Sequence, residues 1–237
     1  MKVAVHADLA GRLLRRYKRF LADVETPDGA LLTVHCPNPG SMLGLDTPGS
    51  PVRCSTSDNP RRKLRHTLEM IRVGRVWVGL HTGRANQLTA RALEAGAIPA
   101  LRGYREIRSE VPVGGGSRLD FRLDARRGGS DRRPCFVEVK SVTMAEGRRA
   151  RFPDSVTERG RRHVDTLARL RAGGARAVLL FVVQRHDCDI IETADEIDPA
   201  YGRALRRAAA RGVEVLGVAA HVGARCIQLE RPLPVRL

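Results

Sequence analysis

Short runs of apolar residues, each closed off by turn-forming residues, fill the first part of this 237-residue chain. Leu13 to Val24, Leu31 to His35, Val52 to Ser55, Leu68 to Val73 and Val76 to Leu80 read as strands, with Pro27-Asp28-Gly29 and Pro37-Asn38-Pro39-Gly40 between them. Five short strands with charged outer faces fit a small β-barrel, and the OB-fold is the usual barrel of this size. The period then changes. Leu88, Ala92 and Leu93 share one face of a helix from Ala85 to Ala95, which Gly96 stops. Beyond it, strands are predicted at Tyr104 to Val111, Leu119 to Leu123, Cys135 to Val142, Ala177 to Gln184 and Val213 to Val218. Helices are predicted from Val156 to Arg171, before Gly173-Gly174, and from Pro199 to Arg211, before Gly212. This alternation implies an α/β (α+β) domain, a mixed sheet flanked by helices. The chain thus divides into a barrel over residues 1–82 and a second domain over 83–237.

The chemistry concentrates on two strands of the second domain. Ser117-Arg118-Leu119-Asp120-Phe121 is followed, across a loop, by Phe136-Val137-Glu138-Val139-Lys140. Alternate residues of a strand share a face, so Glu138 and Lys140 project together while Val137 and Val139 pack behind them. With Asp120 on the neighbouring strand they form a D…ExK set. Two facing carboxylates favour a cation between them, and hard ions such as Mg²⁺ or Mn²⁺ take oxygen ligands. Asp120 and Glu138 are the candidate ligands, with the Val139 carbonyl as a third. Lys140 would position a water or stabilise developing charge against a phosphodiester. Only Lys2, Lys18, Lys63 and Lys140 among 42 basic residues are lysine. A compact ammonium here suggests a task that arginine cannot do, although E-x-K on a strand is also a common ion pair. Helix, antiparallel strands bearing D and ExK, helix and strand is the order of a restriction-endonuclease-like, PD-(D/E)xK core.

Charge extends this picture. A formal net charge of +16 attracts polyanions and releases counterions from a phosphate backbone, which makes nucleic acid the leading partner. An arginine-rich genome accounts for part of the composition without removing its electrostatic consequence. Arg15-Arg16-Tyr17-Lys18-Arg19-Phe20 interleaves charge with aromatics, as backbone contact plus base stacking requires; an edge strand with solvated arginines accounts for it equally. The five cysteines are scattered, without a C-x-x-C pair, which argues for reduced thiols and against zinc or a disulfide framework. No signal-like segment opens the chain and no run approaches a membrane span. The expectation is a cytoplasmic protein that does not engage membranes; its oligomeric state is left open.

Several long segments resemble, in order, the sugar fermentation stimulation protein family: RRYKRFLADV (15–24), VHCPNPGSM (34–42), NPRRKLRHTLEMI (59–71), SRLDF (117–121), VEVKSVT (137–143), FPDSVTERGRRHVDTL (152–167), LLFVVQR (179–185) and GVEV (212–215). The resemblance implies an OB-like domain joined to a PD-(D/E)xK nuclease-like domain, DNA binding, and a link to the regulation of sugar-use genes. Asp120, Glu138 and Lys140 match its nuclease-like signature. The basic run 126–133, read as a hairpin tip, has no counterpart in it.

Other candidates adjoin this core. Thr157 is placed to cap the helix that follows the ExK strand, and Arg159, Arg162 and His163 on it would face DNA, with Arg118 beside Asp120 adding charge; a capped helix with a solvated face is the competing account. Gln184 ends the next strand, where it would hydrogen-bond an attacking water or serve as a satisfied strand-end amide. Two functions follow, a metal-dependent DNA phosphodiesterase and a DNA-binding regulator that keeps the nuclease core as scaffold. Single-stranded or branched DNA and RNA are all candidate partners.

Overall fold

The computed structural model describes residues 1–114, 116–125 and 132–237, so positions 126–131 of the basic run lie outside the described residues. β1 (Lys2–Ala4) precedes β2 (Leu9–Tyr17), β3 (Leu21–Glu25), β4 (Leu31–His35), β5 (Pro51–Thr56) and β6 (His66–Val73). The last five run in the order β4-β3-β2-β5-β6, and a parallel pairing of His35 with Thr67 closes them into a barrel. β7 (Val76–Gly79) folds back on β6. Alternation places Leu13, Val24, Val34, Val52, Leu68 and Val78 inside, where they form one buried core.

The run Leu13 to Val24 is a hairpin, where the apolar pattern reads as a single strand. Tyr17 pairs with Leu21, and the chain reverses over Lys18 and Arg19 at φ of 49° and 63°. Such left-handed positions usually hold Gly, Asn or Asp, so this turn has no compositional signature.

The second unit follows from α1 (Gly83–Glu94) through β8 (Glu106–Pro112), β9 (Arg118–Asp124), β10 (Cys135–Val142), β11 (Ala145–Glu146) and β12 (Arg149–Phe152) to α2 (Glu158–Ala172). It ends with β13 (Arg176–Val183), β14 (Ile190–Thr193), α3 (Pro199–Ala210), β15 (Glu214–Val222), β16 (Cys226–Leu233) and β17 (Val235–Arg236). A seven-stranded sheet has the order β1-β16-β15-β13-β10-β9-β8, with β10, β13 and β15 parallel to one another. β13 lies at its centre and every residue of it is buried, as expected of a strand covered on both faces. One face packs on α1 through Leu88, Ala92, Val137 and Val139. The other packs on α2 and α3 through Val164, Leu167, Leu205 and Phe136. A small sheet, β11-β12-β14-β17, lies alongside. The strand pairing of β1 with β16 sets residues 2–4 in the large sheet, although the sequence reading groups residues 1–82 together. β11, β12, β14, β16 and β17 likewise fall outside the strands expected from the sequence pattern.

Two of the joints between barrel and sheet are built on carboxylates. Glu69 on β6 is fully buried and receives two hydrogen bonds from Arg84 of α1, at 2.7 and 3.0 Å, and one from Ser55 Oγ at 2.8 Å. The second joint is a clasp. Asp154 accepts Met42 N–H at 3.2 Å through its carboxylate and Ser41 Oγ–H at 2.5 Å through its carbonyl. Gly40 lies so close to that carboxylate that a Cβ would collide with it. Removing one partner of a buried pair strands a charge and typically costs 3–5 kcal/mol. Arg84→Ala is therefore expected to destabilise the protein by about 3 kcal/mol in denaturant unfolding, and Arg84→Ala/Glu69→Ala by clearly less. A double variant at least as unstable as the single would contradict this account of the joint.

Candidate active site

The site begins where a strand pair separates. β10 pairs with β13 along its full length, from Cys135 to Val142, but with β9 only from Cys135 to Val137. Beyond Val137 the two strands splay, and the N–H of Val139 has no ladder acceptor on that side. Buried backbone donors are almost always paired. Asp120 on β9 supplies the acceptor, its Oδ2 taking Val139 N–H at 2.7 Å. Its Oδ1 accepts Asn86 Nδ2–H from α1, also at 2.7 Å. Glu138 projects to the other face of β10, toward α2. Lys140 Nζ donates to Glu138 Oε1 at 2.7 Å, and His163 Nδ1 bonds the same oxygen. An ionised carboxylate only accepts, so Nδ1 carries the proton and His163 is the donor.

The two acids respond oppositely to this environment. Burial, and then the nearby charge of Glu138, push the Asp120 carboxyl up to about 6. Burial also pushes the Glu138 carboxyl up, but the His163 and Lys140 hydrogen bonds outweigh it and hold Glu138 below the usual glutamate range. Glu138 Oε2 is buried and has no partner among the described residues, which is the kind of orphaned oxygen a cation satisfies. Asp120, Glu138 and the Val139 carbonyl could offer oxygen donors of the kind a hard divalent ion takes. Among the described residues, no three His, Cys, Asp or Glu side chains form a metal-holding group, so any such ion would complete its shell with main-chain and solvent oxygens.

A cleft of about 1070 Å³ opens over these residues, at the junction of the barrel with the sheet. Asp120, Glu138, Val139, Lys140, His163, Arg118, Arg159, Arg162 and, from the barrel hairpin, Arg19 all line it. The other candidates lie elsewhere. Arg16 reaches the carbonyls of Asn38, Gly40 and Ser41 at 2.8–3.1 Å and that of Arg19 at 3.2 Å, and so braces the clasp loop. Arg15 pairs with Asp23 at 2.7 Å and stacks on Tyr17, whose hydroxyl donates to the same carboxylate. Lys18 occupies the hairpin turn outside the lining of the cleft. Gln184 is fully buried, and its Nε2 donates to Ser141 Oγ at 2.8 Å and to the His81 carbonyl at 3.2 Å. Gly79 packs directly against it, and Gly79 N–H donates to the Gln184 carbonyl, so this residue joins barrel to sheet behind the site. Asn86 is not legible in sequence as a site residue, since a lone amide on an amphipathic helix looks like any solvated position. The Thr157 cap forms, its Oγ1 accepting Gly160 N–H at 3.0 Å, and the helix starts at Glu158 rather than at Val156.

A closed five-stranded OB barrel fused to a mixed sheet with splayed D and ExK strands defines a PD-(D/E)xK-type two-domain architecture. The chain belongs to the sugar fermentation stimulation protein family: it matches that family's RE domain over residues 83–225 and the SfsA N-terminal OB domain over residues 14–80. A sugar fermentation stimulation protein homolog of Maricaulis maris is 48% identical over 230 residues, covering 97% of this chain and 96% of that protein. The homolog of Halorhodospira halophila is 52% identical over 227 residues, covering 94% and 93%. Among solved structures, Pyrococcus furiosus SfsA in complex with Ca²⁺ superposes with a TM-score of 0.87 at 26% identity, covering 97% of this chain and 96% of that one. No helix among the described residues is long and apolar enough to cross a membrane.

In the metal-free protein, the ¹³C carboxyl resonance of Asp120 is expected to titrate with a midpoint near 6, against an ordinary value of 3.8. Because the folded value is raised, the unfolded chain ionises first as pH rises. The folded state therefore loses stability between about pH 4 and 6, by on the order of 1–3 kcal/mol allowing for partial exposure, and levels off above. A midpoint near 4 would show that neither burial nor Glu138 acts on this carboxyl as described.

Proposed function

We propose that this protein is a divalent-metal-dependent phosphodiesterase acting on DNA. The observation that supports the reading is the convergence of Asp120, Glu138 and Lys140 on one cleft whose walls hold Arg19, Arg118, Arg159 and Arg162. Asp120, Glu138 and the Val139 carbonyl would hold Mg²⁺ or Mn²⁺, and the Ca²⁺ in the complex of the Pyrococcus furiosus relative supports an oxygen-donor ion site in this fold. When bound, the ion neutralises phosphoryl charge and acidifies a water. The rest falls to the protein's own side chains. Asn86 and the Val139 amide fix the Asp120 carboxylate, His163 fixes that of Glu138, and Lys140 presents an ammonium at the mouth of the site. The arginines bind phosphates and orient the strand without reading bases, so sequence preference is expected to be weak.

A second reading is a DNA-binding regulator of sugar-use genes that retains the nuclease core as scaffold. It is favoured by Glu138 Oε1 being already satisfied by Lys140 and His163, an ion-pair cluster able to stand on its own. One panel separates the two: single-stranded, duplex and branched DNA, and RNA, each incubated with Mn²⁺ or EDTA. Cleavage of DNA that EDTA abolishes is the expected result, whereas tight binding without metal-dependent cleavage of any substrate supports the regulator.

Two variants refine the test. Calorimetric titration with Mn²⁺ is expected to show a site in the wild type that Asp120→Ala lacks, and equal binding by both would remove the metal assignment. Lys140→Arg keeps the charge but replaces a compact ammonium by a planar fork. DNA affinity is expected to hold while cleavage falls by about 100-fold or more. Full cleavage by this variant would reduce Lys140 to an ion-pair partner of Glu138.

A further inference from the structure

We infer that a DNA strand leaves the cleft over Arg162 and continues along the groove between α2 and α3, where Arg161, Arg203 and Arg207 hold its phosphates. The inference rests on the nucleic-acid reading of the cleft and gives the bound strand a direction. Arg162 lines both the cleft and a separate groove of about 390 Å³ between the two helices, so the two surfaces share a wall. The guanidiniums of Arg161, Arg162, Arg203 and Arg207 border that groove, against two carboxylates, Glu158 and Asp165.

This concentration of charge does little for the fold beyond placing Arg207 in the last turn of α3, where a cation suits the helix dipole. Arg203 and Arg207 are exposed and one turn apart on α3, a spacing at which like charges disfavour a helix by a few tenths of a kcal/mol, roughly 0.2–0.5. Neither guanidinium makes a hydrogen bond or ion pair among the described residues. Asp195, which lies within the field of Arg203, is paired by Arg206 at 2.6 Å. Arg161 meets Glu158 only at 4.0 Å, in an exposed pair worth little. The contrast is with arginines elsewhere, where Arg148 and Arg231 share Asp189, Arg185 holds Asp187 and Arg176 holds Glu214. A groove with more cations than carboxylates on its walls, opening from a cationic cleft, is complementary to a polyanion. From Glu158 to Asp165 the groove follows α2 for about 10 Å at 1.5 Å per residue. A single strand is more extended than the roughly 3.4 Å rise of a duplex strand, so that is room for at most about three phosphates.

The test uses the full chain and two fluorescein-labelled single-stranded oligodeoxynucleotides, of about four and about twelve nucleotides, within the range of site sizes seen for OB-type binders. Affinities are read by fluorescence polarisation over a series of salt concentrations, without divalent ion. Arg203→Ala/Arg207→Ala is compared with the wild type and with Arg75→Ala/Arg225→Ala, which removes the same charge away from the groove. The groove variant is expected to bind the short oligonucleotide like the wild type. For the long one its salt slope should fall by about 1.4, or about 0.7 for each of the two phosphates that are no longer neutralised, while the control pair keeps the wild-type slope. Arg203→Lys/Arg207→Lys should restore most of the affinity. A wild-type slope for the groove variant on the long oligonucleotide, or an equal fall in the control pair, overturns the inference and leaves the cleft reading intact. Failure of the wild type to bind either oligonucleotide overturns both.

Discussion

The hydrogen bond from Val139 N–H to Asp120 organises the site. β10 is committed to β13 along its whole length and to β9 along only one end of it, so the splay leaves a buried donor that demands an acceptor. Supplying that acceptor from β9 brings a carboxylate beside Glu138, and the rest of the site answers the resulting problem. Two acids in a half-closed space repel and are poorly solvated, which raises the Asp120 carboxyl. Asn86 from α1 and Lys140 and His163 around Glu138 relieve part of that cost. What they leave, the unpartnered Glu138 Oε2, is an opening for a cation.

The barrel closes the other side of the cleft, and its attachment explains segments that look functional in sequence. The Pro-Asn-Pro-Gly-Ser-Met turn and the Phe-Pro-Asp-Ser segment meet at Asp154, with Gly40 too close to that carboxylate for any side chain. Arg16 spans the back of this turn through three of its backbone carbonyls and bonds that of Arg19 as well. Its charge serves the fold, while that of Arg19, two positions past the end of β2, reaches the cleft. Arginines three positions apart in one basic run thus divide between joinery and the cleft wall.

How much of this is legible in the sequence depends on where the determining partner lies. The D and ExK strands and the helices that cover them show in local periodicity, because Val137 and Val139 alternate with Glu138 and Lys140 along a single strand. The closed barrel is equally local, apart from its first hairpin, whose left-handed Lys18 and Arg19 carry no turn signature. What escapes is set by contacts distant in sequence. β1 is three residues that become a strand only because β16 lies beside them, and Asn86 acquires a role only from Asp120, across the helix-to-sheet interface. Gln184 ends a strand near the site, and its packing against Gly79 of the barrel is a contact that the local pattern does not show.

The proposed chemistry requires that the splay of β9 from β10 build a divalent-ion site from Asp120, Glu138 and the Val139 carbonyl. Crystals grown with Mn²⁺ and measured at the manganese absorption edge test it most directly. The account predicts an anomalous peak among these three groups, with Glu138 Oε2 facing it. The absence of a peak there, with Asp120 still bonded to Asn86 and Val139, or a peak confined to another part of the protein, would contradict it.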